Sequence, residues 1–319
     1  MSEPLILALP SKGRLKEQVE EWLADCGLPL RAAGGQRGYA ARLDGLPAVE
    51  ARLVSASDIA DALFAGEAHL GVTGEDLLRE RPDDFETRIM LVQALGFGQA
   101  DLVVAAPKSW IDVSTMADVD EVAHLFLART GRRLRVATKY LAQTRAFFAR
   151  HGVADYRIVE SSGATEGAPA AGAAELVVDI TSSGATLAAN GLKVLDDGLI
   201  LKSQAQLAAS LGAAWDGPRL AAARALVRIL EARARATASV SLTWPPEADE
   251  TARAATAAFA ADARTQSFGL IVPTGAAFQI AAALADAGVG QVMASQPTYV
   301  FEPACKTIEA LRNRLRVKN

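Results

Sequence analysis

Short continuous apolar runs, separated by amphipathic stretches, dominate this chain. Leu5 to Leu9 (LILAL), Ala48 to Val54, His69 to Thr73 (HLGVT), Leu102 to Ala106 (LVVAA), Leu134 to Thr138 (LRVAT) and Tyr156 to Glu160 (YRIVE) each read as a strand. Such runs suit strands buried on both faces of a sheet. Leu15, Val19, Trp22, Leu23 and Cys26 fall on one helical face, which predicts a helix from about Leu15 to Cys26 with Gly27 as its stop. Ser57 reads as the N-cap of a helix Asp58 to Ala65, ended by Gly66. Gly74 opens a short helix Glu75 to Glu80, and Pro82 closes that region. Tyr140 to His151 predicts another helix, while residues 108–133 show no clear period. Strands alternating with helices argue for an α/β architecture with mainly parallel sheets.

The texture changes after about residue 235. Val240 to Trp244 and Phe268 to Val272 read as strands. Asp249 to Ala263, Ala276 to Ala287 and Thr307 to Leu315 read as helices, and Val292 to Phe301 is extended with Pro297 as a flaw. This predicts a separate small α+β domain.

Composition narrows the function classes. Half of the 319 residues are hydrophobic and 22% are charged, enough for a packed core. The net charge of −4 gives no bulk case for nucleic-acid binding. Cys26 and Cys305 have no metal spacing and no disulfide framework, and the expectation is two reduced thiols. No apolar run approaches the roughly 20 residues of a membrane helix. The N-terminal segment lacks the basic region of a secretory signal. The expected location is therefore the cytoplasm.

The segment Glu166 to Leu187 carries the clearest chemistry. It predicts a small-residue turn and helix, then a buried strand, then a loop rich in hydroxyls and glycine. Asp179 ends the strand, and Ser182, Ser183, Gly184, Ala185 and Thr186 offer backbone N–H groups and hydroxyls to a phosphate. One carboxylate beside one phosphate cradle suits a phosphorylated sugar. The plainer alternative is a serine-glycine turn capping a helix, with Asp179 bonded to its own loop. Lys12 and Arg14 follow the first strand, where α/β sheets meet their ligands. The alternative for them is a solvated basic loop. His69, His124 and His151 form no acid–base constellation.

Several blocks occur together: LPSKGRL at 9–15, LGVTGEDLL at 70–78, LGFG at 95–98, VATKY at 136–140, the segment 161–187, and NGL at 190–192. With these blocks the chain resembles the ATP phosphoribosyltransferases, which open histidine biosynthesis. The resemblance covers about residues 5–210. It implies attack of adenine N1 of ATP on C1 of phosphoribosyl pyrophosphate, with Mg²⁺, giving phosphoribosyl-ATP and pyrophosphate. It implies a two-lobed core like a type II periplasmic binding protein, with the active site in the cleft. Residues 1–95 with 185–235 would form lobe I. Residues 96–184 would form lobe II, which binds phosphoribosyl pyrophosphate. Residues 236–319 would form a ferredoxin-like regulatory domain that takes histidine as inhibitor, in a homo-oligomer, dimer or hexamer.

On the same footing the catalytic set is Asp179, Lys12 and Arg14. Asp179 would meet the ribose hydroxyls, and 182–186 the 5′-phosphate. Lys139 and Arg145 would be second-lobe phosphate contacts, with Tyr140 against adenine and Glu166 orienting the base or Mg²⁺ through water. Core packing is the other reading of Tyr140, and interaction with a helix N-terminus that of Glu166. The chain departs from the family pattern at Ser55 and Ala60, and after Gly98, where basic residues or proline are usual. Two positive contacts to substrate phosphates would then be absent, or supplied elsewhere, for example by Arg52 or Arg37. The rival readings are a non-enzymatic two-lobed binding protein and a phosphoribosyltransferase with another acceptor. The first is disfavoured by Asp179 with its hydroxyl loop, the second by Ile180 where a second acid is usual.

Overall fold

The computed structural model describes residues 3–32, 40–81, 84–161, 163–259 and 263–316. The chain divides into two compact units. The larger consists of 1–22, 30–43 and 47–215, and it contains two sheets. The first lobe begins with β1 (Leu5–Pro10), α1 (Gly13–Asp25), β2 (Leu30–Ala32), β3 (Ala40–Leu43), β4 (Val49–Val54) and α2 (Ala56–Ala65). It continues with β5 (Leu70–Gly74), α3 (Glu75–Arg79), α4 (Phe85–Arg88) and β6 (Ile89–Ala94). Its core strands are parallel, with β1 between β4 and β5. All six residues of β1 are buried, and each leucine there stabilises the fold by about 1.5–3 kcal/mol.

The second lobe comprises β7 (Asp101–Pro107), α5 (Met116–Thr130), β8 (Leu134–Thr138), α6 (Leu141–Arg150) and β9 (Tyr156–Glu160). Then come β10 (Leu176–Thr181), α7 (Ala185–Ala189) and β11 (Leu192–Leu201). The chain returns to the first sheet as β12 (Ala205–Ser210). β12 is inserted antiparallel between β5 and β6, so the seven-stranded order is β2-β3-β4-β1-β5-β12-β6. The five-stranded order is β11-β7-β10-β8-β9, with β7 antiparallel to both its neighbours. The sheets are therefore mixed rather than mainly parallel. Two lobes crossed twice by the chain are the two-lobed architecture expected.

Several boundaries move. The return crossing falls after Leu201, not near 185, because β11 stays paired with β7. Ser55, not Ser57, caps α2, its hydroxyl accepting from the Asp58 N–H at 3.2 Å. Ser57 instead accepts from Arg81. The predicted helix after Glu166 is only a 3₁₀ turn over Thr165–Gly167. Gly163, Gly167, Pro169 and Gly172 disfavour anything longer. Residues 108–133 contain α5, held at its start by a reciprocal Thr115–Asp118 capping box. Pro82 lies outside the described residues.

The second unit consists mainly of residues 216–319, with 23–29 and 44–46. It starts with α8 (Gly217–Thr237), capped by Asp216 with Pro218 in the first turn. This unbroken helix moves the expected boundary near 236 back to 216. The ferredoxin-like fold follows as β13 (Ser239–Thr243), α9 (Asp249–Thr256), β14 (Arg264–Gln266), β15 (Gly269–Pro273), α10 (Thr274–Asp286) and β16 (Met293–Ser295). Its antiparallel order β14-β15-β13-β16 places the first and third strands centrally. α11 (Lys306–Arg316) ends the described chain. Among the described residues no helix is long and apolar enough to cross a membrane.

Candidate active site

The two lobes of the larger unit enclose a cleft of about 640 Å³. α1 contributes Arg14, Leu15 and Gln18; α3 contributes Asp76 and Leu77; the first crossing contributes residues 96–100. The second lobe contributes Lys139, Tyr140, Ile180 and Ser182. Arg14 and Lys139 thus bring positive charge to opposite walls. Lys12 is exposed in the loop before α1 but does not line the cleft.

Asp179 sits near the end of β10, opposite Val103 of β7. Its Oδ1 accepts the Ile180 N–H at 2.8 Å. Burial pushes its carboxyl above the usual range, and Glu166 adds to the rise. The Ile180 N–H, Lys139 and the Thr165 hydroxyl pull the other way without cancelling it. The ionised form is therefore under-compensated by its surroundings. Ala164, just before Thr165, holds φ 49°, an unfavourable left-handed conformation for a residue with a Cβ. Glu166 is half-buried beside this site.

The loop after β10 is pre-formed by its own hydroxyls. Thr181 Oγ1 accepts the Gly184 N–H at 2.7 Å, and Ser183 Oγ accepts the Ala185 N–H at 3.4 Å. Gly184 turns the chain at φ 73°, a conformation glycine adopts without strain. Ser182, Ser183, Ala185 and Thr186 are exposed. Sequence reasoning passed over Thr181, whose place one residue ahead of the serines was the available signal.

Tyr140 is 1% exposed and packs in the second-lobe core, so its ring is no open platform for adenine. Its hydroxyl donates to Asp76 Oδ2 at 2.6 Å. Burial, then the Asp76 charge, pushes the phenol far above its ordinary value and keeps it protonated. Arg145 is exposed on α6 near Tyr156 and does not line the cleft. Arg52 pairs with Glu50 at 2.9 Å, and Arg37 lies outside the described residues. Ser55 is spent on its helix cap.

The residues missed by sequence reasoning surround Asp76. Ser203 Oγ donates to Asp76 Oδ1 at 2.8 Å and accepts the Asp76 N–H at 3.0 Å. Gln143 Nε2 donates to the Asp76 carbonyl at 2.9 Å. Glu80 accepts the Ala142 and Gln143 N–H groups at 2.7 and 3.2 Å, so an acid of the first lobe caps α6 of the second. A Cβ on Gly74 would collide with the Asp76 carboxylate, which ties glycine to that position. Two acids straight after a strand-ending glycine were the only hint in the sequence.

The histidines take structural places. His69 Nδ1 accepts the Ile6 N–H at 3.2 Å; His124 and His151 face Asp155 and Asp197. Among the described residues no cluster of three or more His, Cys, Asp or Glu could hold a metal alone. Asp179 with Glu166 is a two-carboxylate set, which suits Mg²⁺ that keeps waters and substrate phosphates as its other ligands.

Comparison with known proteins bears on this cleft. Residues 55–231 match the family described as HisG, ATP phosphoribosyltransferase. An ATP phosphoribosyltransferase of Caulobacter vibrioides is 64% identical over 319 residues, covering all of both chains. One from a Bradyrhizobium species is 59% identical over 238 residues, 74% of this chain and 73% of the relative. Among solved structures, the ATP phosphoribosyl transferase (HisG:HisZ) complex from Thermotoga maritima aligns at TM-score 0.49 and 27% identity, over 64% of this chain and 86% of that one. On the family match and the full-length identity, this chain belongs to the ATP phosphoribosyltransferase family.

Proposed function

We propose that the cleft between the two lobes is where this ATP phosphoribosyltransferase joins its substrates. Its reaction moves the phosphoribosyl group of phosphoribosyl pyrophosphate to N1 of ATP, the first step of histidine biosynthesis. The C1–O bond to pyrophosphate breaks as the N1 lone pair forms the C1–N bond, and pyrophosphate leaves with the electron pair. Asp179 accepts hydrogen bonds from the ribose hydroxyls, and its charge favours the positive ring of an oxocarbenium-like transition state. The 182–186 loop holds the 5′-phosphate through N–H groups and hydroxyls. Arg14 and Lys139 face the diphosphate and the ATP phosphates. No strong base is required, because N1 brings its own lone pair.

Mg²⁺, held by Asp179 and Glu166 through water, would neutralise charge on the departing pyrophosphate. The observation that carries the reading is Asp179 itself, raised by burial beside Lys139 and followed by the hydroxyl loop. Incubation with ATP, phosphoribosyl pyrophosphate and Mg²⁺ is expected to form phosphoribosyl-ATP, seen as new near-ultraviolet absorbance. Absence of product, with or without an added partner subunit, sinks the reading.

For the ferredoxin-like unit we infer histidine binding and feedback inhibition within a homo-oligomer, supported by its βαββαβ order. Added histidine is expected to slow hydrogen exchange within 239–295. Slowing confined to the cleft would count against it. A biosynthetic role supports the cytoplasm as its location.

A further inference from the structure

The cleft has a side chamber where the chain crosses between the lobes. It holds about 310 Å³, and its wall includes Gln99, Asp101, Thr181, Ser182, Lys202 and Gln204. Gln99 and Ser182 line the main cleft too, so the two spaces share a wall. The backbone here is fixed. Ala100 N–H donates to the Ser203 carbonyl, Glu75 N–H to the Gln204 carbonyl and Ala205 N–H to the Phe97 carbonyl, each at 3.0 Å. Gly96 N–H donates to the Gln204 side chain at 3.0 Å. Ser203, next to Lys202, is buried and bonded to Asp76.

Lys202 therefore leaves from an anchored point. It is exposed, and among the described residues it has no hydrogen bond or ion pair. Asp101 shares the chamber but lies beyond the 4.0 Å ion-pair range. Thr181 Oγ1 already accepts from Gly184, which leaves its proton free for a ligand. Ser182 adds a second hydroxyl at the shared wall. An unpaired ammonium, two hydroxyls and the Gln99 amide are donors suited to a phosphoryl oxyanion.

We propose that Lys202 binds a phosphoryl oxyanion of the phosphoribosyl donor, reached from the 182–186 loop across Ser182. This rests on the reading of the cleft as the phosphoribosyl pyrophosphate site. Lys202 attracts the anion and Asp101 repels it, so the two residues have opposite effects on affinity.

Calorimetric titration with ribose 5-phosphate and, separately, inorganic pyrophosphate tests this at fixed ionic strength. Lys202→Ala is expected to weaken one of the two by about tenfold. Lys202→Arg should weaken it by less than about threefold, since the charge remains. Asp101→Asn should tighten the same ligand. The ligand that responds identifies the 5′-phosphate or the diphosphate as the group held. Unchanged affinity of Lys202→Ala for both overturns the proposal. A wild-type protein that binds neither ligand and makes no phosphoribosyl-ATP overturns the parent reading as well, and so is told apart.

Discussion

Asp76, which lines the cleft, and Asp179, one residue before the cleft-lining Ile180, differ in how their oxygens are used. Asp76 gives one oxygen to Tyr140 and the other to Ser203, and its backbone is tied to Ser203 and Gln143. Asp179 receives one backbone N–H, from Ile180, and burial still lifts it above its ordinary range. A carboxylate whose acceptor capacity is consumed by the protein holds the lobes in register. One left under-compensated is available to a ligand. Nearness to a cavity does not distinguish the two; hydrogen-bond saturation does.

The sharpest test exchanges their phenotypes. Asp76→Ala strands two buried hydroxyls and is expected to lower stability by about 3 kcal/mol in urea unfolding. Asp179→Ala should cost less than about 1 kcal/mol of stability. Equal losses from the two would abolish the distinction. Asp179→Ala should instead lower kcat/KM for phosphoribosyl pyrophosphate by about 100-fold while ATP binding changes little. Greater damage to ATP binding would reject the assignment of Asp179 to the ribose. Glu80→Ala removes the cap of α6 and should destabilise by about 1–2 kcal/mol. A neutral Glu80→Ala would mean that the contact across the lobes is idle.

The pH dependence tests Asp179 more finely. The folded state raises the Asp179 carboxyl above its ordinary 3.8, so the native protein holds that proton more tightly than the unfolded chain. Stability therefore falls as pH rises from the unfolded value through the folded one, and the penalty stays constant above it. Asp179→Asn should be more stable than wild type at neutral pH, and the gain should vanish below about pH 4. A gain that persists in acid would trace to something other than the charge. At the bottom of the scale, Arg145→Ala should leave both KM values within about twofold, because an exposed residue outside the cleft has little effect.

Asp179 stands out in the sequence and Asp76 does not, for a physical reason. Asp179 interrupts an apolar strand and precedes a run of hydroxyls and glycine, so its signal is local. Asp76 sits in the first turn of a short helix, where any acid is welcome. Its partners Tyr140 and Ser203 are 64 and 127 residues away in the chain. The parallel strands were legible as continuous apolar runs. β12 (AQLAAS) was not, because alanine, glutamine and serine give little hydrophobic contrast although all six positions are buried. α5 carried its Thr115–Asp118 box in plain view, but its apolar spacing is weak. Burial of Tyr140 could not be separated from ligand packing until its hydroxyl had an acceptor. The side chamber depends on two crossings that come from distant parts of the chain, so no local pattern announces it.

The position of β12 also bears on how the chain is made. Among the described residues β6 joins the first sheet through β12 alone, which is synthesised about a hundred residues later. At ribosomal rates of roughly 5–20 residues per second, β5 and β6 wait on the order of ten seconds with open edges. The second lobe must emerge before the first can close. Ribosome-bound chains whose β12 has not yet emerged should therefore depend on chaperones far more than those whose β12 has emerged.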